Sequence, residues 1–93
     1  MIKSFKSKKT EQVFQGKIPK GFPSQIARRS IVKLDQLNNA MTLDDLRIPP
    51  SNRLETLGGE RVGQHSIRIN DQWRLCFLWN EGDAEQVEIT DYH

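Results

Sequence analysis

The sequence predicts an α+β fold: an antiparallel sheet with one long and one short helix, both early in the chain, packed on one of its faces. Three observations predict it. Residues 24–40 carry one long apolar stripe at helical spacing, with Ala27, Ile31 and Leu34 at i, i+4 and i+7. Residues 64–69 and 73–79 alternate apolar and polar, the period of half-buried strands. The helical patterns come first and the strand patterns follow, so the two kinds of element are segregated rather than interleaved.

The 93 residues suit one domain spanning 1–93. A hydrophobic share of 35% and a charged share of 28% are those of a globular chain. No apolar run is long enough to span a bilayer, and the opening Met1-Ile2-Lys3-Ser4-Phe5 lacks the apolar stretch of a secretory leader. One cysteine, Cys76, excludes an internal disulfide framework and a multi-cysteine zinc site. A reduced, cytoplasmic protein without a cofactor is the expectation.

Ile2 to Phe5 alternates and reads as a short first strand. Lys8 to Phe14 reads as a short helix anchored by Val13 and Phe14. Two glycines and two prolines make 16–23 a loop. The lysine-rich stretch 6–22 has little apolar periodicity and reads as the least ordered segment. Ser24, after Pro23, is the expected N-cap of the long helix, and Leu37 and Met41 extend its stripe. Thr42 to Leu46 reads as one capped turn, and Pro49-Pro50 breaks the chain. Strands follow at 53–57, 64–69, 73–79 and 86–90, with a turn at Gly58-Gly59-Glu60.

Charge is distributed unevenly. Residues 1–50 hold ten Lys/Arg and four Asp/Glu, whereas residues 51–93 hold four and eight. The four cations of the second half, Arg53, Arg61, Arg68 and Arg74, are all arginine, whose planar fork suits phosphate. Lys6, Lys8 and Lys9 begin a basic stretch available to RNA or to an acidic partner surface.

The middle hairpin sharpens this. Apolar faces agree only if Ile69 pairs with Trp73, Ile67 with Leu75 and His65 with Phe77, which requires a three-residue loop, Asn70-Asp71-Gln72. That register sets Arg68 opposite Arg74. Like charges facing each other are destabilising and are better tolerated where an anion binds. The competing reading has both side chains splaying into water or pairing with Glu55 or Glu88. Behind the last strand stand Asp91, Tyr92 and His93, three groups able to move or orient protons. Acid/base groups beside two arginines are what phosphodiester cleavage needs, although a Tyr-His ending can also serve only to pin the strand. His65 shares the apolar face and reads as structural. Cys76 has no evident activating partner and reads as inert.

The stretches 63–69, 71–77 and 82–84, with Asp91-Tyr92-His93 and the opening residues, resemble HigB-type toxins of the RelE superfamily. Asn52-Arg53-Leu54-Glu55 is most similar to the GraT-like branch. The chain departs from the family at Glu55 and Gly58, where many members carry histidine and lysine. The resemblance implies a compact RelE-like fold and a ribosome-dependent endoribonuclease that cuts mRNA in the ribosomal A site. It also implies a HigA-like helix-turn-helix antitoxin, through which alone DNA would be contacted.

The chemistry of that reaction uses the 2′-hydroxyl as nucleophile and needs a base, an acid and cations at the phosphate. Arg74, helped by Arg68, suits the phosphate. His93 or Asp91 is the expected base, with Glu55 as the alternative; His93 is also the expected acid if it is not the base. Tyr92 suits stacking on a base or bonding the phosphate. Arg53 and Arg61, with Lys6, Lys8 and Lys9, are the further RNA-contact candidates. The alternative reading is a non-catalytic RNA- or ribosome-binding module of the same fold.

Overall fold

The computed structural model describes residues 1–92. Two helices, α1 (Lys8–Phe14) and α2 (Ser24–Asn39), precede a four-stranded antiparallel sheet. Its strands are β1 (Glu55–Thr56), β2 (Gln64–Arg68), β3 (Trp73–Asn80) and β4 (Asp83–Asp91), in spatial order β1-β2-β3-β4.

The lysine-rich segment is held more firmly than its composition predicts. Ser7 caps α1 through the Thr10 N–H, and the Thr10 hydroxyl accepts the Ile89 N–H of β4 at 3.0 Å. Val13 is fully buried, and Phe14 lies 5.7 Å from Phe5. Ile2 and Phe5 make two isolated parallel bridges to Ala84 and Val87 rather than a full strand.

Along α2, Ile26, Ala27, Ser30, Leu34 and Leu37 are buried, as the spacing requires. Two expectations fail at its ends. Ser24 is the first helical residue and makes no capping bond, because Pro23 occupies the cap position. Met41 lies beyond the helix and is exposed, since the backbone turns extended at Ala40. The capped turn is present: Thr42 and Asp45 form a reciprocal capping box at the start of a 3-10 helix, Leu43–Arg47.

The hairpin register is the one that hydrophobic alternation demands: Ile67 faces Leu75, His65 faces Phe77 and Arg68 faces Arg74. Ile67, Leu75, Phe77, Leu34, Leu37, Leu46, Val13 and Val87 form the core between sheet and helices. β1 shrinks from the expected five residues to two, because Asn52 ends a 3-10 turn, Pro50–Asn52, and Arg53 turns left-handed. β4 is longer than expected and bulged. Cys76 pairs with Glu88 but Leu78 with Glu85, so an extra residue enters β4 near Gln86, whose φ is 51°. Strict alternation would put Ala84 and Val87 on opposite faces. The extra residue lets both enter the core, and both are fully buried.

His65 packs 6.0 Å from the Phe77 ring, with Nδ1 3.2 Å from the Thr56 hydroxyl. Burial lowers its pKa below the ordinary 6.5, so it is structural rather than an acid. The unfolded chain then binds a proton that the folded one resists. Stability is full above pH 6.5 and falls as the pH drops from there towards the folded value. His65→Gln is expected to flatten that slope in denaturant titrations just below pH 6.5. An unchanged slope would remove His65 as its source.

Candidate active site

The sheet face away from the helices carries an open cleft of about 380 Å³, lined by Arg53, Glu55, Arg68, Asn70, Asp71, Arg74 and Tyr92. Alternation places its parts. Arg68 and Arg74 are partners across the β2–β3 ladder, and Ser66 and Cys76 continue the same face.

Arg74 is the most constrained of the cleft arginines, with an 11% exposed side chain. Its Nε donates to the Ser66 hydroxyl at 2.8 Å, and its Nη2 donates to the Arg53 carbonyl at 2.6 Å. That carbonyl is aimed by an unusual backbone: Arg53 sits at φ 46°, a left-handed conformation that costs a non-glycine residue about 1–3 kcal/mol. The buried Asn52 next to it holds the turn. Two edges of the guanidinium are thus fixed by protein, and Nη1 has no protein acceptor among the described residues. A guanidinium locked in this way needs little reorganisation to meet an anion.

Arg68 is held from the other end. Its Nε donates to the Asn70 carbonyl at 3.1 Å and its Nη2 to the Asp71 carboxylate. The Asn70 side chain accepts the N–H groups of Gln72 and Trp73 at 2.8 and 2.7 Å, which shapes the three-residue loop. The two guanidiniums relieve their repulsion by turning towards different protein acceptors while lining one cleft. The carboxylate partners are Asp71 for Arg68 and, at 4.0 Å, Glu55 for Arg74. Glu88, the other expected partner, pairs with Arg61 instead.

Asp71 is an exposed loop carboxylate that occupies Arg68. Asp71→Asn is expected to tighten binding of a short, 2′-O-methylated RNA several-fold, and Arg68→Ala should abolish that gain. Equal affinities for Asp71→Asn and wild type would show that the carboxylate does not compete.

Tyr92 donates its backbone N–H to the Gln72 carbonyl at 2.6 Å, and its hydroxyl lies 3.7 Å from Cys76 Sγ. Burial first, then the hydrogen bond to Cys76, raises its pKa above the ordinary 10.0. The phenol is therefore protonated at neutral pH.

The other expected site residues are placed elsewhere. Asp91 pairs with Trp73 across the ladder, on the side opposite Arg74, and accepts from the Gln72 side chain at 2.9 Å; it does not line the cleft. Alternation excludes it, because Thr90 and Tyr92 take the cleft side. Arg61 donates to Gln64 at 3.1 Å and to Glu88 at 3.4 Å, beside the lining rather than in it. Lys6, Lys8 and Lys9 are exposed and line no part of the cleft. His93 lies outside the described residues. Sequence reasoning missed Asn70 and Asp71 as lining residues and Ser66 as a guanidinium anchor. The first two were visible only as a turn, and the third as a small polar residue on a strand.

Residues 3–93 match the model of a family described as the RelE-like toxin of the type II toxin–antitoxin system HigB. The chain belongs to the HigB-like toxin family. It is 44% identical over 85 residues to Toxin HigB-1 of Vibrio cholerae, covering 90% of each chain. It is 33% identical over 93 residues, the full length of both, to a Proteus vulgaris protein named Endoribonuclease HigB. The fold resembles crystal structures of YafQ from E. coli. The mutant has a TM-score of 0.61 and the BL21(DE3) form 0.56, each at 13% identity over 98% of this chain and 91% of YafQ. Membership makes this chain the toxin of a type II system and implies an antitoxin partner. The short helix, long helix and four-stranded sheet are the RelE-like fold that the sequence resemblance implies. No helix among the described residues is long and apolar enough to cross a membrane.

Proposed function

We propose that residues 1–93 form one endoribonuclease domain that cuts mRNA in the ribosomal A site and so arrests translation and growth in the cytoplasm. A HigA-like helix-turn-helix antitoxin neutralises it, and DNA is met only through that antitoxin. One observation carries this reading: two arginines facing each other across a ladder line one cleft with two carboxylates, Glu55 and Asp71, and a protonated phenol. Names borne by relatives agree with it, since one is called an endoribonuclease.

The cleft residues divide the work as follows. A base removes the 2′-hydroxyl proton, the 2′-oxygen attacks phosphorus, and the bond to the 5′-oxygen breaks. The products are a 2′,3′-cyclic phosphate and a 5′-hydroxyl. Arg74 and Arg68 hold the non-bridging oxygens as charge builds on them. Glu55, in the cleft 4.0 Å from Arg74, is the base that the geometry favours. Tyr92 donates a hydrogen bond to the phosphate or stacks on a base, and His93 delivers the proton to the leaving oxygen. Asp91 acts by fixing the loop end through Gln72. Arg53 and Arg61, with Lys6, Lys8 and Lys9, contribute sequence-independent RNA attraction. Groups gathered from three strands and the segment after β4 need the RNA bent into place, which a ribosome supplies.

A specific observation supports a second reading, a non-catalytic RNA- or ribosome-binding module. Both guanidiniums already carry protein acceptors, Ser66 and the Arg53 carbonyl for Arg74 and Asp71 for Arg68. Primer extension on an mRNA under translation decides between them. New 5′ ends within codons, absent without ribosomes, are the expected result. Arrested synthesis without new ends would establish the binding module.

A further inference from the structure

Cys76 and Tyr92 are the only cysteine and the only tyrosine of the chain, and they touch. Cys76 lies in mid-β3 on the cleft side, two residues beyond Arg74, so its side chain follows that of Arg74 along the same face. The thiol is 1% exposed and has no disulfide partner. Its polar partner is the Tyr92 hydroxyl, 3.7 Å away.

Tyr92 lies beyond the last ladder residue, Asp91. Among the described residues two hydrogen-bonding contacts hold it: the backbone bond to Gln72 and, at the far end of the side chain, the sulfur. The backbone bond fixes where the residue starts but leaves χ1 and χ2 open. The sulfur contact lies at the far end of the side chain, and the ring between the two contacts is a wall of the cleft that contains Arg74. We propose that Cys76 is a positioning residue: its buried thiol orients the Tyr92 phenol towards the scissile phosphate. The inference about catalysis rests on the nuclease reading above; the inference about orientation does not.

Cys76 has a positioning role because the alternatives fail on geometry. Burial denies a thiol nucleophile access to RNA, and Arg74 lies between it and the ladder end. A purely apolar filler would be served as well by valine, which has nearly the same volume but offers the phenol no partner. Serine keeps a donor and acceptor at the site.

The test compares Cys76→Val, Cys76→Ser and Tyr92→Phe in the full chain. The phenol is titrated by its ultraviolet absorbance, which no other tyrosine obscures. In Cys76→Val the released phenol becomes more exposed, and its ionisation moves down towards the ordinary value of 10.0. In Cys76→Ser it stays close to wild type. On translating ribosomes, Cys76→Val lowers kcat by about tenfold with KM unchanged, since misplacement of about 1 Å at a reacting group costs up to roughly 10²-fold. Tyr92→Phe combined with Cys76→Val is no slower than Tyr92→Phe alone. An unchanged titration in Cys76→Val overturns the orientation. A shifted titration with an unchanged kcat overturns the role in catalysis. Wild-type protein that cleaves nothing defeats the nuclease reading while leaving the titration to judge the contact. If Cys76→Val fails to fold, Cys76→Ala, which also offers the phenol no partner, takes its place in the cycle with Tyr92→Phe: independent effects overturn the coupling.

Discussion

Arg74→Ala is expected to lower cleavage of translated mRNA by roughly 10²–10³-fold, the usual cost of one preorganised donor at a charge-developing oxygen. Growth inhibition should vanish with it. The size follows from how the side chain is held. Its Nε and Nη2 are committed to Ser66 and Arg53, so on the proposed mechanism the remaining edge would meet the phosphate without first being ordered. Arg74→Lys keeps the charge but not the fork, and should recover little. The alanine variant also leaves the Ser66 hydroxyl and the Arg53 carbonyl without their donor, which costs about 1–3 kcal/mol of stability. Rates are therefore to be measured below the variant's melting transition. A folded Arg74→Ala protein that cuts at the wild-type rate would remove the cleft from the mechanism.

Asn52→Ala is expected to be the most damaging substitution at a residue that does not line the cleft. Asn52 is fully buried. Its Nδ2 donates to the Leu46 carbonyl and to Gln36 Oε1, both at 3.1 Å, and its Oδ1 accepts from the Lys33 ammonium. Burial first, then Arg29, lowers the pKa of Lys33, so loss of that acceptor strands a partly desolvated charge. Loss of these bonds together should cost on the order of 2–4 kcal/mol. The functional effect follows from position. Asn52 closes the 3-10 turn that forces Arg53 into its left-handed conformation and aims its carbonyl at Arg74. Without it Arg53 relaxes, and the guanidinium loses an anchor. Denaturant titration measures the first effect, and cleavage at a temperature where the variant is folded measures the second. A loss below about 1 kcal/mol with unchanged cleavage would show that the turn is set by the prolines alone.

Much of the architecture follows from short-range pattern. The stripe of α2 and the alternation of β2 and β3 each bury one face, and only one hairpin register buries both strands on the same side. That register places Arg68 against Arg74 before any coordinate is known. The strand expectations that failed are those in which the backbone departs from its period. Left-handed Arg53 cuts β1 short, and the bulge at Gln86 shifts the phase of β4. Both are set by contacts far away in sequence: Asn52 with Lys33 and Gln36 of α2, and the Gln86 N–H with the Ser4 hydroxyl.

The order of residues alone determined the layer architecture and the facing arginines, because periodicity and register act between near neighbours on one strand pair; the toxin family was legible separately, in the motifs at 63–69, 71–77 and Asp91-Tyr92-His93. Which groups share the cleft was decided only in three dimensions. Asp91 was turned away while Glu55, Asn70 and Asp71 were brought in, and a thiol read as inert was set against the Tyr92 hydroxyl. The reason is that a side chain's face is known from its own strand, whereas its neighbours are chosen by how separate strands and turns close around one another.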